Sequence, residues 1–389
     1  MKRVVVVGSG TAGVISAAYL SRMRKSDREV ILYYDPKIKP QAVGEGADLS
    51  FPDMIKKITN FEYRDLEEMD GSFKYGIRKL DWSTQDFVHE FPVSSVSYHF
   101  NAVKLQKYIL NKISNRIKIV EENVSNDNID ADFILDCSGT PKEFSKFEVA
   151  EGIPVNAVHV TQCYWDAPRF NYTLAIARPY GWVFGIPLTN RCSIGYMYNH
   201  KINTIDEVKE DVKTVFDRFK LDPSEHTNSF TFNNYYRTNN FEDNRIGYNG
   251  NASFFLEPLE ATSIGVIFAI AKMSDEFLNE LSGFKILNNR YKNLIQQVET
   301  TISFHYLNNR IFETEFWDLA RNISRNNVLS TLQTNNFFRR MMNKIVASNE
   351  EYINSSIPWG TWTDYSFNTH IRSMELFDDM KELLEISGR

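Results

Sequence analysis

Gly8, Gly10 and Gly13 stand in a G-x-G-x-x-G spacing directly after a short valine-rich run, residues 3–7. Glycines so placed permit a tight turn and let the backbone approach a pyrophosphate. A helix opening at the turn adds free N–H groups and the positive end of its dipole. The following stretch, residues 14–23 (V-I-S-A-A-Y-L-S-R-M), carries an apolar helical stripe. Residues 29–34 (E-V-I-L-Y-Y) then form a second strand that ends in Asp35. An acid just past the second strand is placed to accept hydrogen bonds from an adenosine ribose. The competing reading is a glycine turn needed only to pack helix on strand. Position, flanking elements and acid together favour a dinucleotide site, and the fingerprint is shared by FAD and NAD.

The elements that position this turn sit in a chain of 389 residues, long enough for one large composite domain or two packed ones. Charged residues at 24% and apolar ones at 42% are ordinary for a globular protein, and a net charge of -6 argues against a nucleic-acid-binding surface. Cys137, Cys163 and Cys192 form no CxxC pair and no disulfide framework, so a reduced, cytoplasmic setting is expected. Near the N-terminus the apolar run covers only residues 4–7, which is no signal peptide. The longest apolar run, residues 264–271, is too short to span a membrane, and no membrane partner is expected. The pattern predicts helices over residues 51–58 and 102–114, a buried strand over 132–136, alternating strands over 155–235, and mostly helix from about residue 262. The asparagine-rich stretches 233–251 and 322–354 read as loops and helix ends.

Residues 131–139 (A-D-F-I-L-D-C-S-G) resemble the second strand-and-turn segment of FAD-containing monooxygenases, which passes close to the cofactor and ends in glycine. The chain holds no second G-x-G-x-x-G for a nicotinamide nucleotide, so the economical reading is a flavoprotein served by a separate flavin reductase. Further segments resemble the flavin-dependent halogenases of the tryptophan-halogenase type. They are Val43-Gly44-Glu45, Gly71-Ser72-Phe73-Lys74, Tyr180-Gly181-Trp182-Val183-Phe184-Gly185-Ile186-Pro187, Leu256-Glu257-Pro258-Leu259-Glu260-Ala261-Thr262-Ser263-Ile264, and His305-Tyr306 with Arg310 and Phe316-Trp317. Each is short, but together they keep the family's order across most of the chain. The resemblance implies an α/β chain with an FAD-binding, Rossmann-like flavin monooxygenase fold, an additional β-sheet region and a helical C-terminal part. It divides the chain into a module over 1–290, with an interleaved substrate-side sheet, and a helical region over 291–389.

The family's chemistry supplies the implied roles. Free halide is a nucleophile, so placing it on an electron-rich ring needs a two-electron oxidant, which FADH2 and O2 provide to give hypohalous acid. Lys74 would hold that acid by hydrogen bond or as a haloamine; a solvated lysine is the competing reading. Glu260 would stabilise the cationic ring intermediate and take its proton; the alternative is a carboxylate that favours a helix dipole. Backbone amides at Thr262 and Ser263 would bind chloride, bromide or iodide, with Ser263 standing where the family has glycine. Cofactor contacts would come from Gly8, Gly10, Thr11, Ala12, Gly13, Asp35, Glu45, Asp136, Gly139 and Leu259. Trp182 and Phe184, the latter in place of a second tryptophan, would separate flavin from substrate or simply pack the core. Glu257 would fix the Pro258 turn.

Two departures narrow the expectation. The segment between Trp82 and Tyr98 is compact and the chain after Trp317 is brief, where the family encloses free tryptophan. A small electron-rich aromatic such as an indole or phenol is therefore expected instead. Short members of the family occur in viral genomes, which would place such a protein in a host cytoplasm. His99 and His305 lack metal-ligand spacing, so no metal is expected. His89 and Phe91 are placed near the substrate side. A homo-oligomer is compatible with the sequence. An aromatic hydroxylase would share the fold but need no lysine at 74, and a non-catalytic flavoprotein would need neither Lys74 nor Glu260. Halide-dependent turnover separates the three.

Overall fold

The computed structural model describes residues 1–22, 27–38, 45–91, 95–307, 311–348 and 356–388. By packing, the chain divides into two units, each assembled from three segments. The first comprises Met1–Ser72, Ser97–Val149 and Tyr235–Ile295; the second comprises Phe73–Val96, Ala150–Asn234 and Gln296–Arg389.

The first unit is built on a six-stranded sheet. Its order is Phe241–Glu242, Ile246–Tyr248, Phe133–Asp136, Lys2–Val7, Arg28–Tyr34 and Lys118–Glu121. Five strands run parallel and Phe241–Glu242 closes one edge antiparallel. Val4, Val5 and Val6 in the central strand are wholly buried, as a strand covered on both faces requires. The helix Thr11–Arg22 is buried along ten consecutive residues, an all-round burial that marks an inner helix. It packs against Ala102–Ile113 and Ser263–Leu278, where Tyr19 meets Phe268 edge to face at 5.1 Å. Asn101 caps Ala102–Ile113 by accepting from the Val103 and Lys104 N–H groups. Arg28 and Asp275 form a buried ion pair between the second strand and Ser263–Leu278.

The second unit carries a seven-stranded sheet in the order Pro223–Thr231, Ala157–Tyr164, Arg191–Tyr198, Gly181–Pro187, Thr173–Arg178, Gly76–Leu80 and Phe87–Glu90. Neighbours are antiparallel except Thr173–Arg178 beside Gly76–Leu80. One face packs Leu174, Ile176, Val183 and Ile194 against Val208, Val212 and Val215 of the helix Ile205–Phe219. That helix corrects the expectation of strands throughout 155–235. Its start is a capping box in which Thr204 and Glu207 satisfy each other's backbone N–H groups. The helices Glu315–Thr334 and Asn336–Ser348 correct the reading of 322–354 as loops and helix ends over residues 322–348; residues 349–354 lie outside the described residues. Buried Phe316, Trp317, Ala320, Ser324, Val328, Thr331 and Leu332 recur at helical spacing and outweigh the weak propensity of the intervening asparagines. A hairpin, Pro358–Trp359 with Trp362–Thr363, turns at Gly360 (φ +60) and precedes Asp364–Ser373 and Phe377–Ser387. The chain is thus mixed α/β, with a parallel sheet and a largely helical C-terminal part. Among the described residues no helix is long and apolar enough to cross a membrane.

Candidate active site

The three glycines of the turn do different work. Gly8 has φ +103, and a Cβ there would lie 2.3 Å from the Cys137 carbonyl oxygen. A Cβ on Gly13 would lie 1.8 Å from the Gly8 oxygen. Both positions therefore hold strand, turn and helix at distances only glycine allows. Gly10 is unlike them, because a Cβ there would meet nothing within 4 Å. Open space lies in front of Gly10, where the helix Thr11–Arg22 begins and directs its first N–H groups. This cradle fits a cofactor pyrophosphate: two glycines shape it, and the third leaves room for the anion. Burial pushes the pKa of the Cys137 thiol up, which disfavours the reactive thiolate.

Asp35 sits half-buried at the end of the second strand. Its Oδ1 accepts from the Lys37 N–H at 2.9 Å and its Oδ2 from Asn123 Nδ2 at 3.2 Å. Each carboxylate oxygen keeps a further lone pair, so the group can still accept from a ribose. Asp136 likewise accepts two hydrogen bonds. It accepts from the Ser138 N–H (2.9 Å) and from Asn126 Nδ2 (2.7 Å), fixing the turn that leads to Gly139. Gly139 has φ +104 and open space where a Cβ would stand, the second such opening after Gly10. Glu45 and Leu259 are buried in the same unit. Of the V-G-E segment only Glu45 is described; Val43 and Gly44 lie outside the described residues, as does Arg310. Sequence reasoning missed Asn249. This wholly buried side chain donates to Ser16 Oγ and the Ile267 carbonyl and accepts from the Gly250 N–H. It ties Thr11–Arg22 to Ser263–Leu278, and only its place in an asparagine-rich stretch hinted at it.

The segment Leu259–Ala261 is a single turn with an unusual backbone. Glu260 (φ +70) and Ala261 (φ +55) are consecutive left-handed residues, neither of them glycine. Such conformations persist only where surrounding packing enforces them. Here Leu256, Glu257 and Leu259 are buried beside the turn, and the Ala261 N–H donates to the Pro258 carbonyl at 2.9 Å. Glu260 is 8% exposed and Thr262 1%. Ser263 opens the helix Ser263–Leu278, whose N-terminus carries no side-chain cap. First-turn N–H groups at Ser263 and beyond are therefore available to an anion. Ser263 itself is not among the positive-φ residues, so its backbone does not demand glycine.

In the second unit Lys74 is wholly buried, with Nζ 5.7 Å from the centre of the Phe91 ring. A lysine so placed lies against an aromatic ring and is not a solvated surface lysine. Trp182 is buried and Phe184 half-buried, with ring centres 6.1 Å apart. Alternation along Gly181–Pro187 directs both away from the face on which Val183 joins the apolar core. The Phe184 ring lies over Gly195 on the neighbouring strand, where a Cβ would come within 2.0 Å of it. A second wholly buried lysine, Lys79, was not anticipated. Its Nζ lies 2.9 Å from His305 Nε2, while His305 Nδ1 is 3.0 Å from the Thr301 carbonyl. His305 also packs on His370 (4.9 Å between centres), which packs on His89 (4.8 Å). His89 is thus buried among aromatic rings, with Nε2 3.0 Å from Ser366 Oγ. Residues 79 and 305 meet only through folding, so no local pattern announces them.

Comparison with known proteins places the fold. The chain superposes on a tryptophan halogenase from Shewanella frigidimarina with TM-score 0.80 at 18% identity, covering 100% of this chain and 94% of that one. On Tar14, a tryptophan C-6 flavin-dependent halogenase (chlorinase) from taromycin biosynthesis, the TM-score is 0.80 at 17% identity, covering 99% and 96%. The fold is therefore the one these flavin-dependent halogenases share. The profile of the tryptophan halogenase family matches residues 3–120 and 104–357, and the chain belongs to that family. It is 21% identical over 421 residues to the tryptophan 7-halogenase RebH of Lentzea aerocolonigenes, covering 81% of this chain and 78% of that protein.

Proposed function

We infer that this protein is an FADH2-dependent halogenase that uses O2 and a halide to halogenate a small electron-rich aromatic, with reduced flavin delivered by a separate reductase. The observation that carries the reading is Lys74, a lysine withdrawn completely from water within a Gly71–Lys74 segment of the family's type. A hydroxylase of the same fold has no use for it. The cofactor would be held at its pyrophosphate by Gly8, Gly10, Thr11, Ala12 and Gly13, at its ribose by Asp35, and elsewhere by Glu45, Asp136, Gly139 and Leu259. When bound and reduced it supplies, with O2, the oxidising equivalents that convert halide to hypohalous acid.

The chain's own residues do the remainder. N–H groups at Thr262 and Ser263 hold the halide at a helix N-terminus. Trp182 and Phe184 exclude water and keep substrate apart from cofactor. The Lys74 amine holds the hypohalous acid as a hydrogen-bond donor or carries the halogen as a haloamine. As the C–X bond forms, the ring gains positive charge; Glu260 stabilises it and takes the displaced proton, so that Ar–H and HOX become Ar–X and water. The compact segment between Trp82 and Tyr98 favours an indole or phenol over free tryptophan, and the Ser263 side chain favours bromide or iodide over chloride. The test is turnover with FAD, NADH, a flavin reductase and a panel of indoles and phenols, with and without halide. Halogenated product that requires both halide and reductase is expected. Halide-independent hydroxylation, or flavin reduction by NADH alone, would overturn the reading.

A further inference from the structure

The Gln106 carboxamide lies at the mouth of the glycine turn and belongs to none of the motifs above. It projects from Ala102–Ile113, is 4% exposed, and donates from Nε2 to Thr11 Oγ1 at 3.0 Å. Thr11 is half-buried and is the first residue of the helix whose N-terminus faces the space before Gly10. A hydroxyl has one proton. Because Gln106 takes a lone pair of the Thr11 oxygen, that proton is left to donate elsewhere. Gln106 Oε1, in turn, is buried and has no hydrogen-bond partner among the described residues. An unmade buried acceptor disfavours the arrangement until something satisfies it or compensates for it.

A carboxamide turned by 180° would present its oxygen to Thr11, accept the hydroxyl proton, and leave the amide nitrogen unsatisfied instead. Either orientation leaves one buried polar atom without a protein partner, so the protein alone does not choose between them. An anion in front of Gly10 does choose, because only the observed orientation lets Thr11 donate to it. We propose that Gln106 is a cofactor-positioning residue: it fixes the Thr11 hydroxyl as a donor toward the pyrophosphate of the flavin dinucleotide. The proposal rests on the flavin reading above and extends it to a residue outside the fingerprint.

Binding of oxidised FAD, of ADP (which carries the pyrophosphate without the flavin) and of riboflavin (which carries the flavin without the pyrophosphate) tests it, read by fluorescence or calorimetry on the intact chain. Gln106→Glu is the informative variant. Its carboxylate can only accept, so it captures the Thr11 proton and adds charge facing an anion. FAD and ADP affinity should fall by about 10–100-fold at pH 8, the range for a lost hydrogen bond to a charged group. It should recover toward pH 5 as the carboxyl protonates and can donate again, while wild-type affinity changes little. Riboflavin binding should not respond. Thr11→Val should lose a similar amount, Thr11→Ser should not, and adding Gln106→Glu to Thr11→Val should cost little more. Thr11 variants keep the test alive if a Gln106 variant folds poorly. Unchanged FAD affinity in Gln106→Glu, a loss independent of pH, or full additivity with Thr11→Val would overturn the proposal while leaving the flavoprotein reading intact. A wild-type chain that binds neither FAD nor ADP would overturn both.

Discussion

Gly10 and Gly13 stand three residues apart in one motif, yet the structure gives them opposite sensitivities. A Cβ at Gly13 would lie 1.8 Å from the Gly8 oxygen and 2.8 Å from its carbonyl carbon. Both are backbone atoms, so the contact is relieved only by parting the helix Thr11–Arg22 from the turn. Gly13→Ala should therefore cost about 1–3 kcal/mol or more, the scale of forced overpacking. That is a large share of a total stability of about 5–15 kcal/mol. At Gly10 nothing lies within 4 Å and φ is not left-handed. Ala there gains about 0.4–1 kcal/mol from a stiffer unfolded chain and loses a comparable glycine preference at a helix N-cap. Gly10→Ala should leave the ligand-free Tm nearly unchanged, and Gly10→Leu should do little worse. Their effect falls on the cofactor: a side chain in the pyrophosphate's space should weaken FAD about tenfold for Ala and further for Leu, and Gly10→Arg should abolish binding. Thermal melts without flavin and fluorescence titrations with FAD separate the two effects. A Gly13→Ala protein as stable as wild type, or a Gly10→Leu protein with undiminished FAD affinity, would refute the division of labour.

Lys74→Met, close in length and uncharged, should bind FAD normally and yield no halogenated aromatic, with any hypohalous acid escaping to a trapping reagent; regioselective product from this variant would remove Lys74 from the reaction. Glu260→Gln should slow ring halogenation about 10²–10³-fold while hypohalous acid still forms, and equal loss of both would point to a structural role. Equal chloride, bromide and iodide offered together should give mainly brominated or iodinated product; dominant chlorination rejects that preference. Glu299 supplies a stability test. Burial raises its pKa from 4.5 to about 7, despite the opposing hydrogen bond it accepts from the Gly152 N–H at 2.7 Å. The folded state thus keeps a proton that the unfolded state has lost, so stability falls as pH rises from about 4.5 through about 7, by roughly 3 kcal/mol. Glu299→Gln keeps an acceptor for Gly152 and should flatten that slope, melting higher than wild type at pH 8 but not at pH 4. Parallel Tm-versus-pH curves would exclude Glu299 as its source.

What could be read from the sequence was local. The glycine turn, its flanking strands and Asp35 lie within residues 2–35, and each step follows from neighbours in the chain. The strand Phe133–Asp136 and its turn were legible for the same reason. The helix Ile205–Phe219 was missed although Thr204 and Glu207 announce it, because the strand alternation on both sides masked a single capping signal. Helix was expected from about residue 262, but asparagines disguised how far Glu315–Thr334 and Asn336–Ser348 run, because their turn preference yields once an apolar stripe is buried. Contacts between distant segments were beyond reach: Lys79 finds His305 across 226 positions, and Gln106 finds Thr11 across 95. Lys74 and Glu260 were named through family likeness alone. Their burial, and the backbone strain at Glu260, are properties of the fold that no spacing encodes.

That strain bears on Ser263, which stands where the family's pattern has glycine in the segment proposed to bind halide. A serine in place of glycine would be costly if the position used a left-handed backbone, because a Cβ there destabilises by about 1–2 kcal/mol. The left-handed residues are instead Glu260 and Ala261, and Ser263 already lies in the helix Ser263–Leu278. The turn therefore stores its strain ahead of the helix N-terminus, held by the buried Leu256, Glu257 and Leu259. Exchanging glycine for serine at 263 leaves the path of the N–H groups unaltered and adds only a side chain beside them. It follows that Ser263→Gly should preserve halide binding while changing which halide fits, whereas Ser263→Pro removes a donor and should weaken every halide alike. Ala261→Gly acts differently again, since it relaxes the strain that orients both the Glu260 carboxylate and the helix end. In the proposed reaction its cost should appear in the rate of ring halogenation, even though the substitution removes a strained residue and should not lower the melting temperature.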